Sequence, residues 1–197
     1  YRANYYIMNS DYRVYECIYN GAAPSNSGKG IVSLEEPTHT DLQPRTESDG
    51  YIWKYLYSIR PSDIIKFDSV EYIPVPADWA TNSTDAAVRD NASTSGQLKI
   101  VTVTNRGVGL GTANQTYTKV PINGDGQGAE ATVVINSSSK VESVTVYKGR
   151  SNYSFGTLDL AEGGVPTGTS AAAFNVIIPP QGGHGADLSG LPNFGSA

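Results

Sequence analysis

Residue types alternate with a period near two in Tyr12-Arg13-Val14-Tyr15-Glu16-Cys17-Ile18-Tyr19, and Asn20-Gly21 follows as a turn signal. The pattern predicts a strand that enters a small, polar loop over 22–30. A second run, Tyr51-Ile52-Trp53-Lys54-Tyr55-Leu56-Tyr57-Ser58-Ile59, follows Asp49-Gly50 and is rich in residues that suit a pleated, half-buried surface. As a strand it places Tyr51, Trp53, Tyr55, Tyr57 and Ile59 on one face. Ile52 and Leu56 at even positions leave a helix as the weaker reading. Pro61-Ser62-Asp63 allows one short helical turn before Phe67, and Glu71-Tyr72-Ile73-Pro74-Val75-Pro76 is expected to be extended, because each proline drives its predecessor out of the α region.

Over 80–96 the composition changes to alanine, serine, threonine, asparagine and aspartate, which bury little apolar area against the entropy of ordering. This stretch is expected to be a linker. Beyond it, Leu98-Lys99-Ile100-Val101-Thr102-Val103-Thr104 alternates as a strand and ends at Asn105-Arg106-Gly107. The pattern then recurs: Val144-Thr145-Val146 before Lys148-Gly149 echoes Val101-Thr102-Val103 before Arg106-Gly107, about 43 residues later. The segments starting at Gly126 and Gly168 also match, each running through alanines into an apolar end at Ile135 or Ile177. Two degenerate copies are expected, each a strand, a glycine-containing loop with an aromatic (Tyr117, Tyr153) and a second strand.

The predicted fold class is mainly β, an aromatic-rich N-terminal β unit followed by a duplicated small β-sandwich or barrel-like module. The expected divisions are an N-terminal unit at 1–79, a polar linker at 80–97, the duplicated module at 98–180 and a loop or interrupted continuation at 181–197. The chain opens at Tyr1 and ends in glycine-rich sequence, from which further residues on both sides are expected.

Composition narrows the function classes. With 14 basic and 19 acidic residues the charge is -5, which offers no electrostatic footprint for a phosphate backbone, so no nucleic-acid partner is expected. No apolar run approaches the roughly 20 residues needed to cross a bilayer, so no membrane insertion is expected. The single cysteine, Cys17, has no partner for an intrachain disulfide and lies in a strand-like segment away from histidine, so it reads as a buried thiol.

Chemistry-bearing patterns are sparse. His39 and His184 are the only imidazoles; His39 with Asp41 offers two metal ligands, but the surrounding threonines and proline read as a solvated loop. Gly124-Asp125-Gly126-Gln127-Gly128 lacks the lysine and hydroxyl of a P-loop, and Gly107-Val108-Gly109-Leu110-Gly111 lacks a following helix. Glu35-Glu36 are adjacent, and adjacent side chains usually diverge, so no paired-carboxylate site is expected there, and Asp125 and Asp159 lie outside any dense calcium-loop pattern. The expectation is a non-enzymatic protein without catalytic residues, metal or cofactor.

Three segments, Tyr15-Glu16-Cys17-Ile18, the run from Asp49-Gly50 to Ile59, and Glu71-Tyr72-Ile73-Pro74-Val75-Pro76, occur in an order and spacing that resembles the baseplate wedge subunit of contractile-tailed, T-even-like phages, the gene product eight family. The Asp-Gly-Tyr-aromatic stretch is the most specific part, and the resemblance covers about the first 80 residues. The segment Gly183-His184-Gly185-Ala186-Asp187 resembles a loop in marine relatives of that subunit. The resemblance implies a structural virion protein of the tail baseplate, assembled in the host cytoplasm, that associates with itself and with other wedge proteins beneath the contractile sheath. It carries no catalytic residues over. Tyr51, Trp53, Tyr55 and Tyr57 are the candidate core or subunit-contact residues, with core favoured because each large side chain removed from water contributes roughly 1.5 to 3 kcal/mol. The alternative from another class is a receptor-binding or glycan-binding tail or fibre module, in which exposed tyrosines and loop aspartates would hold a sugar.

Overall fold

The computed structural model describes residues 5–21, 30–67, 72–79, 81, 86–92, 94–180 and 182–185. The chain is mainly β and divides into two compact units, one from Tyr1–Ser93 with Gly182–Ala197, the other Thr94–Gln181. The first unit is therefore discontinuous in sequence.

Its sheet has the order β1-β2-β4-β3, with β1 Tyr5–Met8, β2 Arg13–Asn20, β3 Arg45–Thr46 and β4 Tyr51–Ser58. Strands β1 and β2 are joined by a tight turn in which Asn9 Oδ1 accepts the amides of Asp11 and Arg13, while Tyr12 adopts φ 59°. Strand β4 is central, and all its residues but Ser58 are buried. It therefore fills both faces of the sheet rather than one. A bulge in the β2–β4 ladder adds to this: Tyr15 pairs with Tyr55 but its neighbour Val14 pairs with Tyr57, so Leu56 is the extra residue. Directly opposed residues share a face, so Tyr57 joins Val14, Glu16 and Lys54 while Trp53 and Tyr55 stay with Tyr15 and Cys17. The single aromatic face expected from strict alternation is split by that one bulge.

Helix α1 (Pro61–Phe67) starts on proline, where the missing amide costs nothing. Helix α2 (Ala86–Ala92) lies inside the stretch expected to be a linker. Its Val88 is buried in the core that holds Tyr57 and Trp79, and Arg89 donates from Nη1 to the Trp79 carbonyl at 2.7 Å. One apolar residue and one long donor are enough to anchor a segment whose average composition is polar.

The second unit begins before residue 98: Ser95 and Gly96 carbonyls accept the amides of Asn152 and Tyr153. It has six strands, β5 Ile100–Asn105, β6 Thr116–Gly124, β7 Ala129–Ile135, β8 Val141–Lys148, β9 Gly156–Leu158 and β10 Ala173–Ile177. They form a sheet β8-β7-β6-β9 and a ribbon β10-β5, with β5 beside β8 and β9 beside β10, so the strands curl around one core. Strand β7 alternates buried and half-buried residues along its whole length, as a strand with one face toward a core must.

The duplication is visible in the ladders. In β7–β8, Val133 pairs with Val144 and Ala131 with Val146; in β10–β5, Val176 pairs with Val101 and Phe174 with Val103. Every residue in one set lies 43 positions from its counterpart in the other, as 144 from 101 and 176 from 133 show. Both ladders carry a register shift at the same place, between Glu130 and Ala131 and between Ala173 and Phe174. Reciprocal loop bonds follow the same offset: Leu98 N–H to Gly149 O and Val141 N–H to Arg106 O, then Tyr153 N–H to Gly96 O and Leu110 N–H to Ser139 O. Left-handed backbone recurs as well, at Gly96 and Ser139, Gly107 and Arg150, Gly109 and Asn152. The first strand of each copy thus pairs with the last strand of the other, related by a pseudo-twofold axis. Matching Gly126 to Gly168 in the sequence implies an offset of 42 for the last strands; the ladders give 43. A one-residue slip would turn each side chain to the opposite face, so the core, not the glycine pattern, sets the register.

The two halves differ at one seam. Strand β6 is hydrogen-bonded to β7, whereas β9 and β10 lie side by side without a ladder among the described residues.

Candidate functional site

The four residues singled out in sequence lie in the interior of the first unit. Trp53 and Tyr57 are each 1% exposed, and Tyr51 and Tyr55 are also buried. Tyr51 stacks on Trp53 at 5.5 Å, Tyr15 meets Tyr55 edge-on at 5.8 Å, and on the other face Tyr57 lies 5.8 Å from Trp79. Their hydroxyls are tied inward: Tyr57 donates to the Pro74 carbonyl at 3.0 Å and Tyr51 to that of Ile31 at 2.5 Å. Burial pushes the Tyr57 phenol well above its ordinary range and Tyr15 up to about 12.

His39 was expected in a solvated loop and is buried instead. Its ring sits 5.5 Å from Tyr15, whose hydroxyl donates to the His39 carbonyl at 2.8 Å. Among the described residues neither ring nitrogen has a hydrogen-bond partner within normal limits. Burial holds the imidazole below its ordinary value, opposed more weakly by Glu47 and Asp41. Cys17 is a free, half-buried thiol pushed up to about 11 by burial, which leaves little thiolate for nucleophilic chemistry.

A second group of polar residues, given no role in the sequence, meets on the face opposite Trp53. Glu16 and Lys54 are directly opposed in the β2–β4 ladder, and both are buried. Lys54 Nζ donates to the Leu42 carbonyl at 2.9 Å; burial brings its pKa down to about 8, with Glu16 acting in the opposite sense. Glu16 Oε1 lies 3.2 Å from Nδ1 of His184, a buried residue 168 positions away, and Glu16 Oε2 has no hydrogen-bond partner among the described residues. Nothing in the local sequence around His184 marks this partnership, because it is created by the chain's return to the first unit.

Asp49 pins a loop. Its Oδ2 accepts the amides of Leu34 and Glu35 and the hydroxyl of Ser33, and its Oδ1 accepts the amide of Tyr51 at 3.0 Å. Burial disfavours the carboxylate, but these four donors outweigh it and hold the group below the usual carboxylate range. The loop so fixed presents Val32 and Leu34 to solvent, 78% and 81% exposed. Glu36 Oε1 accepts the Ser10 amide.

In the second unit Asp125 binds Ser154 through both its amide and hydroxyl and accepts the Phe155 amide, which together draw its carboxyl down to about 2. Asp159 Oδ1 accepts the Glu162 amide. The 124–128 segment is the β6–β7 connection, and Gly126 packs so closely on Tyr153 that an added Cβ would lie 2.4 Å from its ring. Gly107, Gly109 and Gly111 all take positive φ in an irregular loop. Along the unzipped β9–β10 seam runs an open groove of about 620 Å³, lined mainly by apolar residues such as Leu110, Leu158, Val165 and Phe174, with Asn123 and Asp159 among its polar groups.

Among the described residues no three histidine, cysteine or acidic side chains cluster to hold a metal ion, and no helix is long and apolar enough to cross a membrane. No family model matches the chain, and no curated protein or solved structure matches it either.

Proposed function

We propose that the chain is a structural subunit of a contractile-phage baseplate wedge, acting through assembly with itself and other wedge proteins in the virion rather than through catalysis. The observation that carries this reading is the use made of the Asp49-Gly50-Tyr51 motif on which the family resemblance rests. Asp49 and Tyr51 hold a loop that keeps Val32 and Leu34 in solvent, while Trp53, Tyr55 and Tyr57 build the sheet behind it. A loop pre-ordered by side-chain clamps loses little entropy when it docks, and two exposed apolar side chains on it supply area for a protein contact.

The test is co-assembly. The chain, produced with the other wedge components of its phage, should co-purify with them, and Val32→Asp with Leu34→Asp should abolish that association while leaving thermal unfolding unchanged. Failure of the unmodified chain to join wedge components, together with specific retention on a glycan array, would replace this reading with the receptor-binding alternative. Hydrolytic activity that survives stringent purification and is lost on a point mutation would replace both.

A further inference from the structure

We propose that the groove beside β10 is a strand-acceptor site, which takes an extended segment of a partner protein, bearing a lysine or arginine, as an antiparallel strand on the open edge of the β10–β5 ribbon. The pseudo-twofold shows what such an edge is built to hold. Strands β7 and β10 are equivalent, and β7 is laddered on both sides, by β8 and by β6, the latter from Thr116 opposite Val134 to Ile122 opposite Ala129. Strand β10 is laddered by β5 alone among the described residues. The offset of 43 carries positions 116 and 122 of β6 to 159 and 165, the segment that would close the second copy. That segment turns instead. Gly163 N–H donates to the Asp159 carbonyl at 3.1 Å, Gly164 N–H to that of Ala161 and Val165 N–H to that of Leu160, while Asp159 Oδ1 accepts the Glu162 amide. Gly163 and Gly164 stand where β6 has Val120 and Pro121, and Gly164 takes φ 74°, which favours the turn. The turn leans on β6, with Gly163 so close that a Cβ there would lie 2.6 Å from Val120 Cγ1. What it vacates is the groove of about 620 Å³.

Ala171, Ala172, Ala173 and Phe174, consecutive residues running into β10, all line this groove. Side chains alternate along extended chain, so a wall made by neighbours in sequence is the edge of the chain, backbone groups included. Alternate residues of an antiparallel strand turn their amides and carbonyls to opposite sides, and an extended segment is the ligand that pairs with the side β5 leaves open. The walls define its side chains. Leu110, Leu158, Val165 and Phe174 suit apolar residues on the inward face, as β6 offers the buried Val120 and Ile122 to β7. Phe174 stands where β7 has Ala131, the residue opposite Val120, so the occupant carries a small residue at that point. Among the described residues no lysine or arginine lines the groove, Asp159 does, and the exposed Glu162, bonded to Asn123 of the wall, adds a second acid. Glu162 takes the place that Lys119 has in the first copy, so the basic residue belongs on the incoming strand. The site is made by the second unit and does not involve the loop bearing Val32 and Leu34.

Fluorescence anisotropy and hydrogen–deuterium exchange of the full chain test this with a labelled synthetic peptide, the Thr116–Gly124 sequence of β6 carrying Val120→Ala. The peptide should bind saturably at or below about 1 mM and slow the exchange of amides over 171–177, while β2 amides in the first unit stay constant. Glu162→Lys in the protein should weaken binding about fivefold or more and leave thermal unfolding unchanged. The same peptide with all its amides N-methylated keeps the side chains but cannot form the ladder, and it should not bind. Absence of saturable binding, binding without protection of 171–177, unchanged affinity in Glu162→Lys, or equal binding of the N-methylated peptide would overturn the proposal.

Discussion

At the scale of single residues, the first unit rests on side chains that are large and fully enclosed. Trp53 stacks on Tyr51 and has almost no exposed surface, so Trp53→Ala should cost roughly 3 to 5 kcal/mol, read as a lower denaturant midpoint at unchanged slope. A midpoint equal to that of the unmodified chain would show that the ring does not support the core. Lys54 makes the opposite prediction. Its amine falls from an ordinary 10.5 to about 8, so the unfolded chain binds this proton more tightly than the native one. Its contribution to stability is therefore poorest below pH 8 and recovers as pH rises from 8 to 10.5, a penalty on the order of 3 kcal/mol at neutral pH. Lys54→Met removes this titration, so the stability of the variant relative to the unmodified chain should fall by about 3 kcal/mol between pH 7 and pH 10.5. Tyr15 and Cys17, raised to about 12 and 11, act in the opposite direction, but they are common to both proteins and cancel in the difference. A difference between the two proteins that does not change with pH would contradict the burial of a charged amine. The aromatic residues were legible in the sequence because size and alternation both point inward. Lys54, His39 and His184 were not, because a polar residue in a strand or glycine-rich loop reads as solvated until distant segments cover it.

At the scale of elements, the duplicated barrel was legible from its paired Val-Thr-Val strands, and its mainly β class from composition and turn signals. The register of the last strands was not, since glycines in the preceding loops are free to slip while inward-facing side chains are not. Strand β1 offered a weaker signal, the apolar run Tyr5-Tyr6-Ile7-Met8 between two asparagines. Helix α2 was hidden in a polar stretch with one well-placed valine. The pseudo-twofold gives an internal control for a paired prediction. Gly96 and Ser139 occupy equivalent left-handed turns, with φ of 65° and 54°, and both carbonyls receive an amide from the opposite copy. A Cβ at Gly96 would lie 2.3 Å from the Tyr153 backbone nitrogen. Gly96→Ala should therefore destabilise by about 2 kcal/mol or more, and Ser139→Gly should be neutral or stabilise by up to about 1 kcal/mol, both measured by denaturant unfolding. Equal effects of the same sign would mean that the two turns are not equivalent.

At the scale of the whole molecule, the first unit includes residues on both sides of the second, so the barrel is an insertion rather than a tandem addition. Replacing 94–181 by a short flexible linker should leave the first unit cooperatively folded, provided the segment after 181 is retained; near-ultraviolet circular dichroism of the tyrosine-rich core would report it. Loss of that signal on excision would show a single integrated core. An arrangement of this kind was not readable from local patterns, because no residue near 182 announces that the chain has returned. It also fits a subunit whose two parts have separate surfaces, the clamped loop bearing Val32 and Leu34 on one and the β9–β10 groove on the other. The assembly account is tested most directly by a side-chain-resolution reconstruction of a contractile phage particle that encodes this chain. The account predicts density for the chain within the baseplate wedge beneath the sheath, with Val32 and Leu34 buried against a neighbouring subunit; finding the chain at a fibre tip with those side chains in solvent, or absent from the particle, would contradict it.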